Sequence, residues 1–170
     1  MAIIKPNNNT ISAITALPSG MVSAPGLPTG KVLQVVNTYV SSGDKTTTSS
    51  TFSDLSGVNL TITPSATSSK ILLMLNTNML HGTSQNYWML RWERDIGGTS
   101  TTFGSSTYGL SHARGAQDFD FWGGVGMTYL DSPSTTSAIT YTVQIASSSG
   151  TASFGVNNTA SEIFAYEIGA

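Results

Sequence analysis

The sequence predicts an all-β fold: an antiparallel β-sandwich or jelly roll preceded by an extended N-terminal arm. Three observations lead there. Short β-branched and aromatic runs with a period of two recur at roughly ten-residue intervals, the spacing of a sandwich or jelly roll. The stretches between them are rich in Ser, Thr and Gly, residues that favour turns. No segment of useful length repeats apolar residues with the helical period.

Residues 1–30 read as the arm. They hold four of the six Pro (Pro6, Pro18, Pro25, Pro28), and a residue without a backbone N–H is excluded from central strands. Small apolar residues are scattered through this stretch without helical or strand period. Ile3, Ile4, Ile11, Ile14, Leu17 and Leu27 are the candidates to dock the arm into pockets on a neighbouring protein. Leu17-Pro18-Ser19-Gly20 and Leu27-Pro28-Thr29-Gly30 form a small repeat. It lacks the spacer and hydrophobic tail of a sortase signal.

Residues 31–170 read as the sandwich domain. Lys31 to Val40 is the first strand, followed by a polar turn from Ser41 to Ser50. Val58, Leu60 and Ile62 alternate with polar residues until Pro64 ends the run. Lys70 to Leu80 contains Ile71-Leu72-Leu73-Met74-Leu75 without a polar gap, which predicts a strand buried on both faces. Trp88, Leu90 and Trp92 then face one way, with Tyr87, Met89, Arg91 and Glu93 facing the other. Gly97-Gly98 turns the chain into weaker strands around Thr101–Phe103 and Tyr108–Ala113. A stronger strand spans Phe119–Leu130, with a bulge expected at Gly123-Gly124. Ile139, Tyr141, Val143 and Ile145 form the next apolar face, and Ala152–Val156 and Glu162–Ile168 close the chain. The expected core comprises Trp88, Leu90, Trp92, Ile139, Tyr141, Val143, Phe164, Tyr166 and Ile168.

The chemistry on offer is sparse. There is no Cys, there are two His, and 9% of residues are charged, with a net charge of −2. Seven Lys and Arg spread along the chain make no basic stripe for nucleic acid or an anionic membrane surface. No apolar run approaches the ~20 residues of a membrane span, and residues 1–10 do not have the pattern of a signal peptide. Neither His81 nor His112 belongs to a nucleophile motif, and no Ser lies in a G-x-S-x-G elbow. Asp118 and Asp120 share a strand face, but no calcium loop surrounds them, so no metal or other cofactor is expected. A glycosidase pair among Glu93, Asp95, Asp118 and Asp120 competes with the simpler pairing of these acids with Arg91, Arg94 and Arg114. The Asn-x-Thr triplets at Asn8, Asn59 and Asn157 would matter only in a eukaryotic secretory protein.

The charges are concentrated in 91–95 and 114–120. Arg91, Glu93, His112, Arg114, Asp118 and Asp120 are therefore the candidate patch for a subunit interface or a ligand, with aromatics nearby that stack on sugar faces.

Several phrases resemble the strand and turn phrases of tail-fibre-like and virion structural proteins of marine bacteriophages. They are Thr29-Gly30-Lys31-Val32-Leu33-Gln34-Val35-Val36, Ser50-Thr51-Phe52-Ser53-Asp54-Leu55-Ser56-Gly57-Val58, Leu60-Thr61-Ile62-Thr63-Pro64-Ser65 and Ser68-Ser69-Lys70-Ile71-Leu72. Tyr129-Leu130-Asp131-Ser132-Pro133 and the closing Glu162-Ile163 fit as well. The resemblance covers most of 29–170 and defines no catalytic or receptor residues. It implies a C1q-like or jelly-roll knob, a homotrimer, made in the bacterial cytoplasm and exposed on the virion. Its partners would be its own copies and capsid or tail proteins, with a host surface glycan as the alternative. The 30-residue arm is short for a fibre shaft, which favours a knob, head fibre or decoration protein.

Overall fold

The computed structural model describes residues 29–40, 44–81, 86–115, 121–156 and 159–169. All the regular elements among them are strands. In chain order these are β1 (Val32–Val40), β2 (Lys45–Thr47), β3 (Ser53–Ile62), β4 (Lys70–His81), β5 (Tyr87–Ile96) and β6 (Thr99–Phe103). They continue as β7 (Ser111–Arg114), β8 (Phe121–Asp131), β9 (Ile139–Ser147), β10 (Ala152–Phe154) and β11 (Ser161–Ile168). The arm residues Ile3, Ile4, Ile11, Ile14, Leu17 and Leu27 lie outside the described residues, as do Asp118 and Asp120.

Two antiparallel sheets pack face to face. The first runs β1-β11-β4-β8, with β10 and β2 continuing beside the far end of β4. The second runs β3-β9-β5, with β6 and β7 sharing the outer edge of β5. Sequence neighbours repeatedly fall in opposite sheets: β3 to β4, β4 to β5, β7 to β8 and β8 to β9 all cross the sandwich. That interleaving is the jelly-roll arrangement.

The interior is filled from both sheets. Trp88, Leu90 and Trp92 of β5 and Ile139, Tyr141, Val143 and Ile145 of β9 meet Ile71, Leu73, Leu75 and Met79 of β4. β3 contributes Leu55 and Val58, three residues apart, although alternation would turn one of them outward. A bulge resolves this. The pairing with β9 slips between Asp54 and Asn59, and Gly57 takes φ +74, a conformation that suits glycine.

Four expectations are corrected. Phe164, Tyr166 and Ile168 are not core: they are half-buried on the outer face of β11, whose inward residues are Ser161, Ile163, Ala165 and Glu167. The period of two was right, but the bulkier set points outward. β4 is buried on its inner face alone; Leu72 and Met74 on its outer face are half-buried and Asn76 is exposed. No bulge occurs at Gly123-Gly124, because β8 pairs with β4 without a break from Ile71↔Asp131 to His81↔Phe121. Gly124 and Gly126 instead lie on the outer face, close to the Asn78 and Asn76 side chains. The polar turn at 41–50 also contains the short strand β2.

Candidate functional site

Two buried carboxylates fix the scaffold. Asp131, at the end of β8, is 5% exposed and joins the sheets. Arg94 Nη1 of β5 donates to both its oxygens at 2.9 and 3.0 Å, and Tyr141 OH of β9 donates to Oδ2 at 2.6 Å. Burial, then the bond to the carboxylate, pushes the Tyr141 phenol well above its ordinary range. Phe103 of β6 stacks on Tyr129 of β8 with ring centroids 4.4 Å apart, closing the same side of the sandwich.

Glu167, on the inner face of β11, is fully buried. Its Oε1 accepts bonds from Ser65 N (2.7 Å), Ser65 Oγ (2.6 Å) and Ser69 Oγ (2.6 Å), and its Oε2 accepts one from Gln34 Nε2 (2.7 Å). Burial alone would raise its pKa, but the bonds from Ser65, Ser69 and Gln34 outweigh it and hold the carboxyl below its usual value. The carboxylate thereby pins the β3–β4 connection to the sheet. Both anions are satisfied by structural partners, which leaves them poorly placed to act on a substrate.

The outer face of the second sheet is polar and gathers four of the six candidate patch residues, in two clusters. In one, Arg91 Nε donates to Gln144 Oε1 (2.7 Å), and Gln144 Nε2 donates to Asp54 Oδ1 (2.7 Å) and to Glu93. The Arg91 guanidinium also sits 4.1 Å above the Phe52 ring. Burial lowers the Arg91 pKa, and Glu93 and Asp54 oppose that. In the other cluster His112 pairs across strands with Met89, and Arg114 with Tyr87. The rings of Tyr87, Tyr108 and His112 lie 5.0 to 5.9 Å apart, with Arg114 5.7 Å from the Tyr87 ring. Arg94 does not join either cluster; it faces inward to Asp131. Among the described residues no three His, Asp or Glu are grouped to hold a metal ion.

The outer face of the first sheet has a different character. Cross-strand register aligns Val35, Tyr166, Leu72 and Leu130 in one row over β1, β11, β4 and β8. Asn37, Phe164, Met74 and Thr128 form the next row, and Val32, Ile168 and Lys70 flank the first on its other side. Val32, Val35 and Leu130 are 54%, 52% and 49% exposed. With strands ~4.8 Å apart and alternate residues ~6.7 Å apart, these rows cover roughly 400 Å². Apolar residues dominate these rows, with Asn37, Thr128 and Lys70 among them, and a footprint of this size matches the largest patch of an ordinary monomer.

Sequence reasoning missed this face because it placed Phe164, Tyr166 and Ile168, three of its residues, in the core. The unbroken apolar run of β4 was the available signal, since it predicted cover on both faces. Gln144, Asp131 and Glu167 gave no local signal: their partners are 10 to 133 residues away in the chain.

No family model matches the chain, and no curated protein matches it. Among solved structures it is similar to a mutant VP2 protein of infectious bursal disease virus in derived T=1 particles, with a TM-score of 0.35 and 11% identity over 82% of this chain. A structure of the Gx strain of infectious bursal disease virus gives a TM-score of 0.27 and 14% identity over 82% of this chain. The chain spans 37% and 39% of the length of those two chains. At that level of superposition the fold assignment rests on the strand order itself.

Proposed function

We propose that this protein is a non-enzymatic structural subunit of a bacteriophage particle, a surface knob or decoration protein that assembles as a homotrimer. In this reading the N-terminal arm, through Ile3, Ile4, Ile11, Ile14, Leu17 and Leu27, fixes it to a capsid or tail partner. The observation that supports it most is the exposed apolar face over β1, β11, β4 and β8. Measured over the 11 residues of β8, the whole outer face, with Glu162, Asn76 and Gly126 beyond the apolar rows, is roughly 700 Å², close to the ~800 Å² each partner contributes to a stable interface. Three copies turned with this face toward a common axis would cover it and leave the polar outer face of the second sheet to solvent. The strand and turn phrases shared with phage virion proteins support the setting.

The test is the mass of the full chain in solution by light scattering, beside Leu72→Glu and Val35→Asp variants. The expected result is a trimer that both variants dissociate while retaining a β-sheet circular dichroism spectrum. A wild-type monomer at tens of micromolar overturns the assembly.

A further inference from the structure

The geometry points to a binding site for a neutral pyranose sugar on the outer face of the second sheet, in a bay beneath Tyr108. The bay has a volume of about 570 Å³, within the ~300–1,000 Å³ usual for small-molecule sites. Tyr87, Met89 and Tyr108 supply apolar surface, while Ser50, Asn86 and Ser148 supply hydroxyl and amide groups. Every residue lining it is uncharged. A pyranose matches that combination, because its C–H face is apolar and its rim carries hydroxyls. An aromatic ring stacks on the first, and short polar side chains bond the second.

The site is held in place before any ligand arrives. Tyr108 is 42% exposed, and the turn that carries it is closed by reciprocal backbone bonds between Ser105 and Gly109, at 3.0 and 2.9 Å. Ser105 Oγ accepts from the backbone N–H groups of Thr107 and Tyr108. The turn docks on β5 through Leu110 N donating to the Leu90 carbonyl at 2.8 Å. Only glycine fits at 109: φ is +68, and an added Cβ would lie 2.2 Å from the Leu90 oxygen. Tyr87 meets Tyr108 edge-on at 5.4 Å, and its backbone N–H donates to Ser148 Oγ at 2.8 Å, tying two walls together. Met89 is 3% exposed although it belongs to the outer face, so it floors the bay. The rings are thus fixed by neighbours, and little conformational entropy is lost on stacking a sugar against them. The bay lies on the opposite face from the apolar rows of the first sheet, so the proposed assembly leaves it open.

The test titrates the full chain with methyl glucoside, methyl galactoside, methyl mannoside and N-acetylglucosamine, and with anionic N-acetylneuraminic acid for comparison, followed by saturation-transfer NMR and calorimetry. At least one is expected to bind saturably at millimolar concentration. Tyr108→Phe is expected to keep that affinity and Tyr108→Ala to weaken it tenfold or more. Thr107→Arg, which fills the rim without removing a ring, is expected to abolish binding; it keeps the test decisive should Tyr108→Ala unfold. Failure of all four sugars, unchanged binding in Thr107→Arg, or a preference for anionic N-acetylneuraminic acid overturns the proposal.

Discussion

Neutralising Glu167 tests the interior design most directly. Glu167→Gln preserves shape but leaves three bonds to a neutral acceptor and turns the fourth into a donor facing a donor. If Oε1 keeps its three donors, the new amide nitrogen faces Gln34 Nε2, which cannot turn away freely because it also donates to the Thr63 carbonyl at 2.7 Å. Bonds to a charged partner contribute ~1.5–3 kcal/mol and neutral ones ~0.5–1.5, so about 1 kcal/mol is lost at each. The cheaper desolvation of an amide returns part of this, leaving a net loss of about 2–3 kcal/mol. At ~2–4 °C per kcal/mol for a chain of this size, the melting temperature should fall by roughly 5–10 °C. Urea denaturation followed by the fluorescence of the buried Trp88 and Trp92, at one fixed protein concentration, measures it. The pH dependence supplies the second reading. The folded-state pKa of Glu167 is depressed, so as pH falls the unfolded chain takes up the proton first. The stabilisation is therefore whole above the unfolded value of ~4.3 and is lost as pH drops through the folded value. The gap between wild type and Glu167→Gln should close over that interval. A gap under about 0.5 kcal/mol at neutral pH, or one that stays constant on acidification, would refute the reasoning.

The other predictions rest on single contacts. Asp131→Ala leaves Arg94 facing the interior without its carboxylate and should cost about 3–5 kcal/mol, whereas Tyr141→Phe should cost about 1–2. The raised Tyr141 pKa gives stability that is present below the unfolded value of ~10 and lost as pH rises toward the folded one; Tyr141→Phe should flatten that alkaline decline in thermal melts. Ala165→Leu places extra methylenes in a filled interior and should cost about 1–3 kcal/mol. Tyr166→Thr, one residue on, should change the oligomer's dissociation more than the subunit's fold, and the reverse ranking in paired urea and light-scattering measurements would invert the orientation assigned to β11.

Much of the fold was legible because alternation is a local signal. Trp88, Leu90 and Trp92, and Ile139, Tyr141 and Val143, each read as one face and each is buried. The jelly-roll order was expected as a class, but the pairing of β1 with β11 and of β3 with β9 depends on contacts between residues far apart in the chain, which no window of sequence reports. Of the candidate patch, Arg91 and Glu93 share a face because they lie two residues apart on a strand. His112 and Arg114 join it because β7 pairs with β5, a long-range fact. Gln144 joins Arg91 to Asp54 and Glu93 and was invisible, since a lone Gln in a strand of Thr and Ile has no distinguishing context.

The misreading of β11 carries the larger lesson. Sequence pattern gives the period of a strand but not which of its two faces looks inward; a one-residue shift exchanges them. By side-chain size alone, Phe164, Tyr166 and Ile168 should be inside and Ser161, Ala165 and Glu167 outside. The observed choice follows from what the interior already holds. Trp88, Trp92 and Tyr141 of the opposite sheet and Phe154 of β10 are each at most 2% exposed, and β11 turns only Ile163 and Ala165 into that core, with Glu167 closing its end through Ser65, Ser69 and Gln34. Turning β11 over would drive three bulky residues into filled space and strand the donors that Glu167 now satisfies. The cost of the observed orientation is an apolar exterior that the isolated subunit does not cover. The larger apolar residues of β11 therefore share the outer face with Leu72 and Met74 of β4 and Leu130 of β8, because the interior they would otherwise enter is already filled.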